Sequence, residues 1–216
     1  FCMKKIYFVR HGESEGNVGE IRQTKETPLS PRGRSQAAYI AARAAKLPID
    51  VIVSSTMVRA AETARSISET TGKEVEHSDL FVERRRSSEQ LGKRKDDPVA
   101  LEVDALLIEN FTVPGYRYSD EENFDDLKRR AGEALEFLKN RSEQNILVVT
   151  HGIILRALAA RAVFGPELSA RECELFIRTF HTENTGITVF EYDEERRNPW
   201  GIWIWNDHAH LAELEG

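Results

Sequence analysis

Two short stretches carry the residues best suited to chemistry. Ile6-Tyr7-Phe8-Val9 runs into Arg10-His11-Gly12, and Ile146-Leu147-Val148-Val149-Thr150 runs into His151-Gly152. An imidazole changes charge near neutrality, and in its neutral form it is a competent nucleophile toward phosphorus. An arginine fork grips phosphoryl oxygens in pairs, and the amides at a helix start add partial positive charge. Arg59, in the first turns of a helix that follows a second strand, supplies another guanidinium. If the strands ahead of these residues are neighbours, two guanidiniums and two imidazoles converge on a pocket fit for a phosphoryl group.

Within that pocket His11 is the candidate nucleophile, because Arg10 frames it and Gly12 lets the backbone approach closely. Attack requires one unprotonated ring nitrogen, so the other N–H should be held, most simply by a backbone carbonyl of the following loop. Neighbouring cations disfavour imidazolium and lower its pKa. The leaving oxygen needs a proton, which a carboxylic acid can supply. Glu83, which follows a strand and opens an irregular segment, is the first candidate and Glu13 the second. Each of these residues also has a plainer reading. His11 and His151 can be core histidines satisfied by backbone groups, Arg59 can pair with Glu62 on a helix surface, and glutamates such as Glu83 are usually solvated.

The elements that must position these groups alternate. Lys4 to Val9 predicts a first strand, and the polar run from Gly12 to Thr27 a loop over the site. Ser30-Pro31 opens a helix with Ala37, Ile40, Ala41 and Ala44 on its apolar face, ended by Leu47-Pro48. Asp50 to Val53 predicts a strand, Met57 to Thr71 a helix stopped by Gly72, and Lys73 to Asp79 a third strand. Residues 80–118 form an irregular insertion with a short helical pattern from Pro98 to Ile108. Ser119-Asp120-Glu121-Glu122 reads as a capping box for a long amphipathic helix through Phe124, Leu127, Ala131, Leu135 and Leu138. After the Ile146 strand comes a helix from Ile153 to about Val163. Glu172 to Phe180, Gly186 to Tyr192 and Gly201 to Trp205 read as closing strands, with Trp203 and Trp205 sharing one core-facing side. The pattern predicts an α/β three-layer sandwich: a mostly parallel central sheet, helices on both faces, and a capping insertion.

Bulk properties limit the alternatives. With 216 residues, 40% of them hydrophobic and 31% charged, the chain suits one domain with one excursion. A net charge of -6 argues against nucleic acid, and no apolar run approaches a membrane span or a signal-peptide core. Only Cys2 and Cys173 are present, which predicts no disulfide framework and fits a cytoplasmic setting. Met3 reads as the native start, leaving Phe1 and Cys2 without a role. His181, His208 and His210 with Asp207 match no strong metal-ligand spacing and read as surface or rim residues. The basic runs at 84–86 and 93–95 read as solvated faces that can also steer anions.

At these residues the chain resembles a known family. Arg10-His11-Gly12-Glu13-Ser14 with Asn17, Pro28-Leu29-Ser30 with Gly33 and Gln36-Ala37, Ser54-Ser55 followed by Arg59-Ala60 and Thr63-Ala64, Glu83, Thr150-His151-Gly152, and Asn206-Asp207-His208 through Leu211 look like the histidine phosphatase superfamily, which includes the cofactor-dependent phosphoglycerate mutases. The likeness spans nearly the whole chain in order. It implies a phosphohistidine mechanism without metal or cofactor, with His11 as nucleophile and Arg10, Arg59 and His151 as phosphate ligands. It also implies Asn17 and Gly152 at the phosphate, Gln23 and Thr24 where the family's loop touches substrate, and Glu83 as proton donor. The stretch Arg84-Arg85-Arg86-Ser87-Ser88-Glu89 departs from the mutase pattern, which favours a phosphatase acting on a small phosphorylated substrate and leaves Glu89 as a rival acid. Mutase-type transfer and a non-catalytic phospho-ligand module are the alternatives.

Overall fold

Continuous apolar runs become the inner strands because both faces of a parallel sheet are covered. The computed structural model describes residues 3–214, so Phe1 and Cys2 lie outside the described residues. Six strands, β1 (Lys4–Arg10), β2 (Val51–Ser54), β3 (Val75–His77), β4 (Asn145–Thr150), β5 (Ile187–Tyr192) and β6 (Trp200–Asp207), lie in the order β3-β2-β4-β1-β5-β6. The first four in that order are parallel, and β5 and β6 add antiparallel pairs at one edge.

Period-2 alternation along β1 sends Ile6 and Phe8 to one face and Tyr7 and Val9 to the other. The Tyr7 face packs on α2 (Pro31–Ala44) and α3 (Val58–Thr71) through Ile40, Ala41, Ala60 and Ala64. The Phe8 face packs on α5 (Phe124–Lys139) and α6 (Gly152–Phe164) through Leu127, Ala131, Leu155 and Leu158. The chain leaves β1 toward the α2 face and leaves β4 toward the α6 face. The carboxyl ends of these adjacent strands therefore bound a crevice at a topological switch point.

Local signals hold where expected at Ser30, whose hydroxyl accepts from Gly33 N, and at Gly72, left-handed at φ 69°. The loop after β1 is not wholly irregular, since Ser14 and Asn17 cap a single helical turn, α1 (Glu15–Val18). The third strand is shorter than expected, and a 3-10 turn follows at Asp79–Phe81. The expected strand over Glu172 to Phe180 is instead helix α7 (Ala170–Thr179), opened by a reciprocal Ser169–Glu172 capping box. Its apolar Cys173, Phe176, Ile177 and Phe180 repeat at helical spacing, a period the alternation of Leu175 and Ile177 masks.

Two further expectations fail for identifiable reasons. The N-cap of α5 is Asn123, not Ser119, because Glu121 and Glu122 are buried and bonded elsewhere. Trp203 and Trp205 do not share a face: a register irregularity pairs Val189 with Ile204 but Phe190 with Ile202. Trp203 is consequently 59% exposed under the Lys5 ammonium, while Trp205 packs on Phe180.

Residues 83–123 leave the sheet and carry α4 (Pro98–Glu109). Both roots of this cap meet at one buried ion pair. Glu122 accepts two bonds of 2.6 Å from Arg130 and one from Arg85 N, while Arg130 Nη1 donates to Leu80 O and Val82 O. Glu122→Ala leaves the Arg130 guanidinium buried without its carboxylate and should cost about 3–5 kcal/mol in denaturant unfolding; a loss below about 1 kcal/mol would show the clasp to be idle.

Candidate active site

Parallel pairing brings the two sequence motifs together. Arg10 lies opposite Thr150 in the β1–β4 register, and His11 N extends the ladder by donating to Thr150 O at 2.9 Å. His11 and His151 therefore emerge side by side, with ring centroids 4.9 Å apart. His11 Nδ1 lies 2.6 Å from Gly12 O, so Nδ1–H donates there and the lone pair resides on Nε2. Arg59 Nε donates to that Nε2 at 3.3 Å, and Arg59 Nη1 donates to Thr24 O.

The main chain around His11 is held from several sides. Gly12 N donates to Thr63 Oγ1, Thr63 Oγ1 donates to Arg59 O, and Asn184 Nδ2 donates to His11 O. A Cβ at position 12 would fall 2.6 Å from Gly33 O, so only glycine lets this loop meet the first turn of α2. His151 is the N-cap residue of α6, and its Nε2 bonds Ser55 Oγ at 2.8 Å. Arg10 Nη1 donates to Thr182 O at 2.5 Å, and Arg10 Nε lies 3.7 Å from where a Gly152 Cβ would sit. Arg10 Nε and His151 Nδ1 are buried polar atoms with no hydrogen-bond partner among the described residues. Such atoms are what an anion-binding pocket leaves over for its guest.

Burial first, and then the Arg59 and Arg10 charges, hold the His11 imidazole well below its usual pKa; the bond to Gly12 O opposes this. His151 is lowered for the same first reason, then by His11 and the arginines. Burial also lowers Arg59, to about 10, against the opposing pull of Glu83. Both histidines are therefore neutral at physiological pH, and both arginines remain charged.

Glu83 stands at the start of α6. Its Oε1 accepts from Arg84 N at 2.9 Å and from Ile153 N and Ile154 N at 3.1 Å. Together with Arg10, His11 and Arg59 it lines a cavity of about 1230 Å³ beneath the cap. The rival acids point elsewhere. Glu13 accepts from Ser30 Oγ and pairs with Arg32, and Glu89 accepts from the Tyr118 hydroxyl on an exposed part of the cap.

Gln23 and Thr24 line the cavity, and Gln23 Cγ packs where a side chain on Gly16 would lie. Asn17 has its Oδ1 engaged by the Ser14 amide and hydroxyl, one residue beyond the cavity-lining Gly16. Arg84, Arg85 and Arg86 all line the cavity, Arg84 half-buried and Arg85 and Arg86 exposed, whereas Lys93 and Arg94 are exposed away from it and Arg94 pairs with Glu20 and Asp96. His210 bonds Arg43 and Thr185, and Asp207 pairs with Arg43, so these residues fasten the chain's end to α2. Arg59 does not pair with Glu62, which accepts from Leu29 N. Sequence reasoning gave no role to Ser55 and Thr63, although both lie in the quoted motif blocks. It missed Thr182 and Asn184 altogether, since no periodicity or motif marks their loop.

A family model described as the histidine phosphatase superfamily (branch 1) matches residues 6–207. Proteins of Shigella boydii and Escherichia coli named "Probable phosphoglycerate mutase GpmB" are 30% identical over 97% of this chain and 95% of theirs. Among solved structures, Bacillus stearothermophilus YhfR aligns at TM-score 0.82 and 25% identity, covering 96% of this chain and 99% of that one. A mutant phosphoserine phosphatase from Entamoeba histolytica, in complex with phosphoserine, aligns at TM-score 0.73 and 25% identity, with 96% and 99% coverage.

The lowered imidazoles carry a stability signature. Above about pH 6.5 both histidines are neutral, folded or unfolded, and add no pH dependence. Below it the unfolded chain binds protons that the folded chain refuses. Stability should then fall with pH by up to about 1.4 kcal/mol per pH unit for each histidine, until the folded value is reached. Denaturant unfolding at about pH 7 and about pH 5 should show His11→Asn losing less on acidification than the parent protein; equal losses would mean that His11 is charged in the fold.

Proposed function

Because the chain belongs to the histidine phosphatase superfamily, and so is an enzyme acting on phosphoesters, we propose that it is a metal-independent phosphomonoesterase working through a phosphohistidine on a small phosphorylated metabolite in the cytoplasm. The observation that carries this reading is the state of His11: buried, neutral, with Nδ1–H fixed on Gly12 O and Nε2 beside two guanidiniums. The protein is proposed to act as one domain spanning 1–216, with the cap as an insertion.

The substrate phosphoryl group sits against Arg10, Arg59 and His151, while the Ile153 and Ile154 amides at the start of α6 hold Glu83 beside it. His11 Nε2 attacks phosphorus in line, the N–P bond forms, and the P–O ester bond breaks. Glu83 in its acid form gives its proton to the departing alkoxide. The resulting carboxylate then takes a proton from water, the oxygen attacks phosphorus, and the N–P bond breaks to release phosphate and a neutral imidazole. Charge that builds on the equatorial oxygens is met by donors already in place, so little reorganisation is needed.

Mutase-type transfer is the second reading, favoured by the name of the 30% identical relatives. It requires the phosphohistidine to survive until a second hydroxyl arrives. The large cavity, with Leu101 and Ile108 half or more exposed on its wall, is poorly suited to excluding water. Incubation with a phosphoglycerate separates the two: free phosphate supports hydrolysis, and accumulation of the positional isomer would replace it. Quenching turnover in alkali should trap a phosphorylated protein whose label is lost on acidification, and a pure binding module would trap none.

His11→Ala should cut kcat by at least roughly a thousandfold with an unchanged unfolding midpoint near neutral pH; substantial residual turnover would refute the covalent route. Glu83→Gln should slow alkyl phosphates far more than nitrophenyl phosphate, whose leaving group needs little protonation. Equal losses on both would take the acid role away from Glu83.

A further inference from the structure

Helix α4 is more apolar than its packing explains. Eight of its twelve residues (PVALEVDALLIE) are aliphatic, yet only Ala100 and Val103 are buried. Such composition on a cap helix calls for an apolar counterpart. Leu101, Leu107, Ile108 and Phe111 recur at helical spacing on the side that faces the cavity, and Leu91 joins them from the preceding turn. Leu91, Leu101 and Ile108 are 43%, 50% and 58% exposed, so this roof remains uncovered among the described residues. Met57, Ile153 and Ile177 line the same cavity from outside the cap, and Ile153 N is bonded to the carboxylate of Glu83. The apolar space is thus continuous with the point where a leaving group would depart.

Cations on the same wall do not offer a ready second anion site. Arg22 and Arg86 share Asp104 at 2.6 and 2.9 Å, and Arg178 pairs with Glu174 at 2.8 Å. Arg84 packs over the Phe111 ring at 5.0 Å and donates to Glu122 O. The remaining lining cations outside the phosphate pocket, Lys25, Arg85 and Lys95, are solvent-exposed. A cavity of about 1230 Å³ also exceeds what a three-carbon phosphoacid fills.

We infer that the enzyme's preferred substrates are phosphomonoesters of large apolar alcohols, whose hydrocarbon body lies along the α4 roof and Met57, Ile153 and Ile177. The inference rests on the phosphatase reading and adds to it the class of leaving group. Burial of each methylene in this space should raise kcat/KM roughly fourfold until the cavity is filled.

The test is a series of straight-chain alkyl phosphates from ethyl to octyl, with 3-phosphoglycerate for comparison, assayed by phosphate release. The expected result is a steady rise along the series, with 3-phosphoglycerate below hexyl phosphate. Leu101→Asp and Ile108→Asp should each lower the octyl-to-ethyl ratio at least roughly tenfold. That ratio is read within each variant, so any loss of folded protein cancels. A flat or falling series, a preference for 3-phosphoglycerate, or a slope that persists in both variants would overturn the inference while leaving the phosphatase reading intact. Failure to hydrolyse any ester would overturn that reading, and this inference with it.

Discussion

The pairing of β1 with β4 is the constraint from which the rest of the structure follows. It aligns Arg10 with Thr150 and so delivers two imidazoles to one spot with their ring centres 4.9 Å apart. Two buried imidazoles at that separation cannot both carry charge beside Arg10 and Arg59 without a large electrostatic cost. The protein resolves this by keeping the rings neutral and the guanidiniums charged. The result is a neutral imidazole inside a positive cage, its Nε2 lone pair held by Arg59 Nε, an arrangement electrostatically suited to a phosphoryl dianion.

That neutrality would have little use if the ring could turn. The Nδ1–H bond to Gly12 O fixes the His11 tautomer, and Gly12 in turn is held by Thr63 and by its close approach to Gly33. Loop 13–27, helix α2 and helix α3 are thereby braced against one another. Arg59 participates twice, through His11 and through the Thr24 carbonyl, so the cavity-lining loop is tied to the guanidinium beside His11. Positioning of this kind supplies much of a catalyst's advantage, because donors and nucleophile need not reorganise during the reaction.

How far the sequence discloses this depends on the kind of signal. The β1 and β4 runs, the Ser30-Pro31 start and the Gly72 stop are local features with one physical reading each, and they are seen in place. Arg10, His11, Arg59, Glu83 and His151 are brought together as expected because each ends, follows or opens a regular element at the carboxyl ends of the parallel strands. Failures arose where two periods overlap or where a pattern has two uses. Leu175 and Ile177 alternate within a helix, and Ser119 to Glu122 mimics a capping box while Glu122 is required by Arg130. The phase change near Trp203 is invisible in sequence, since an extra residue in one strand leaves no compositional mark. Thr182 and Asn184 lie in a loop far along the chain, which the antiparallel β1–β5 pairing brings beside Arg10 and His11.

The division between the two halves of the cavity is itself informative. The end at His11 is built from strand ends and helix starts, where backbone bonds and burial hold the side chains in place. The cap end is built from the 83–123 excursion, joined to loop 13–27 by the Arg22–Asp104 pair and by Arg22 N on Lys93 O. Glu122 and Arg130 anchor that excursion at its base without reaching the reacting atoms. Residues on α4 can therefore change their apolar character with little effect on the geometry around His11. On the substrate reading inferred above, the chemistry is independent of the ester's carbon skeleton, and selection among esters resides in the uncovered apolar side of α4.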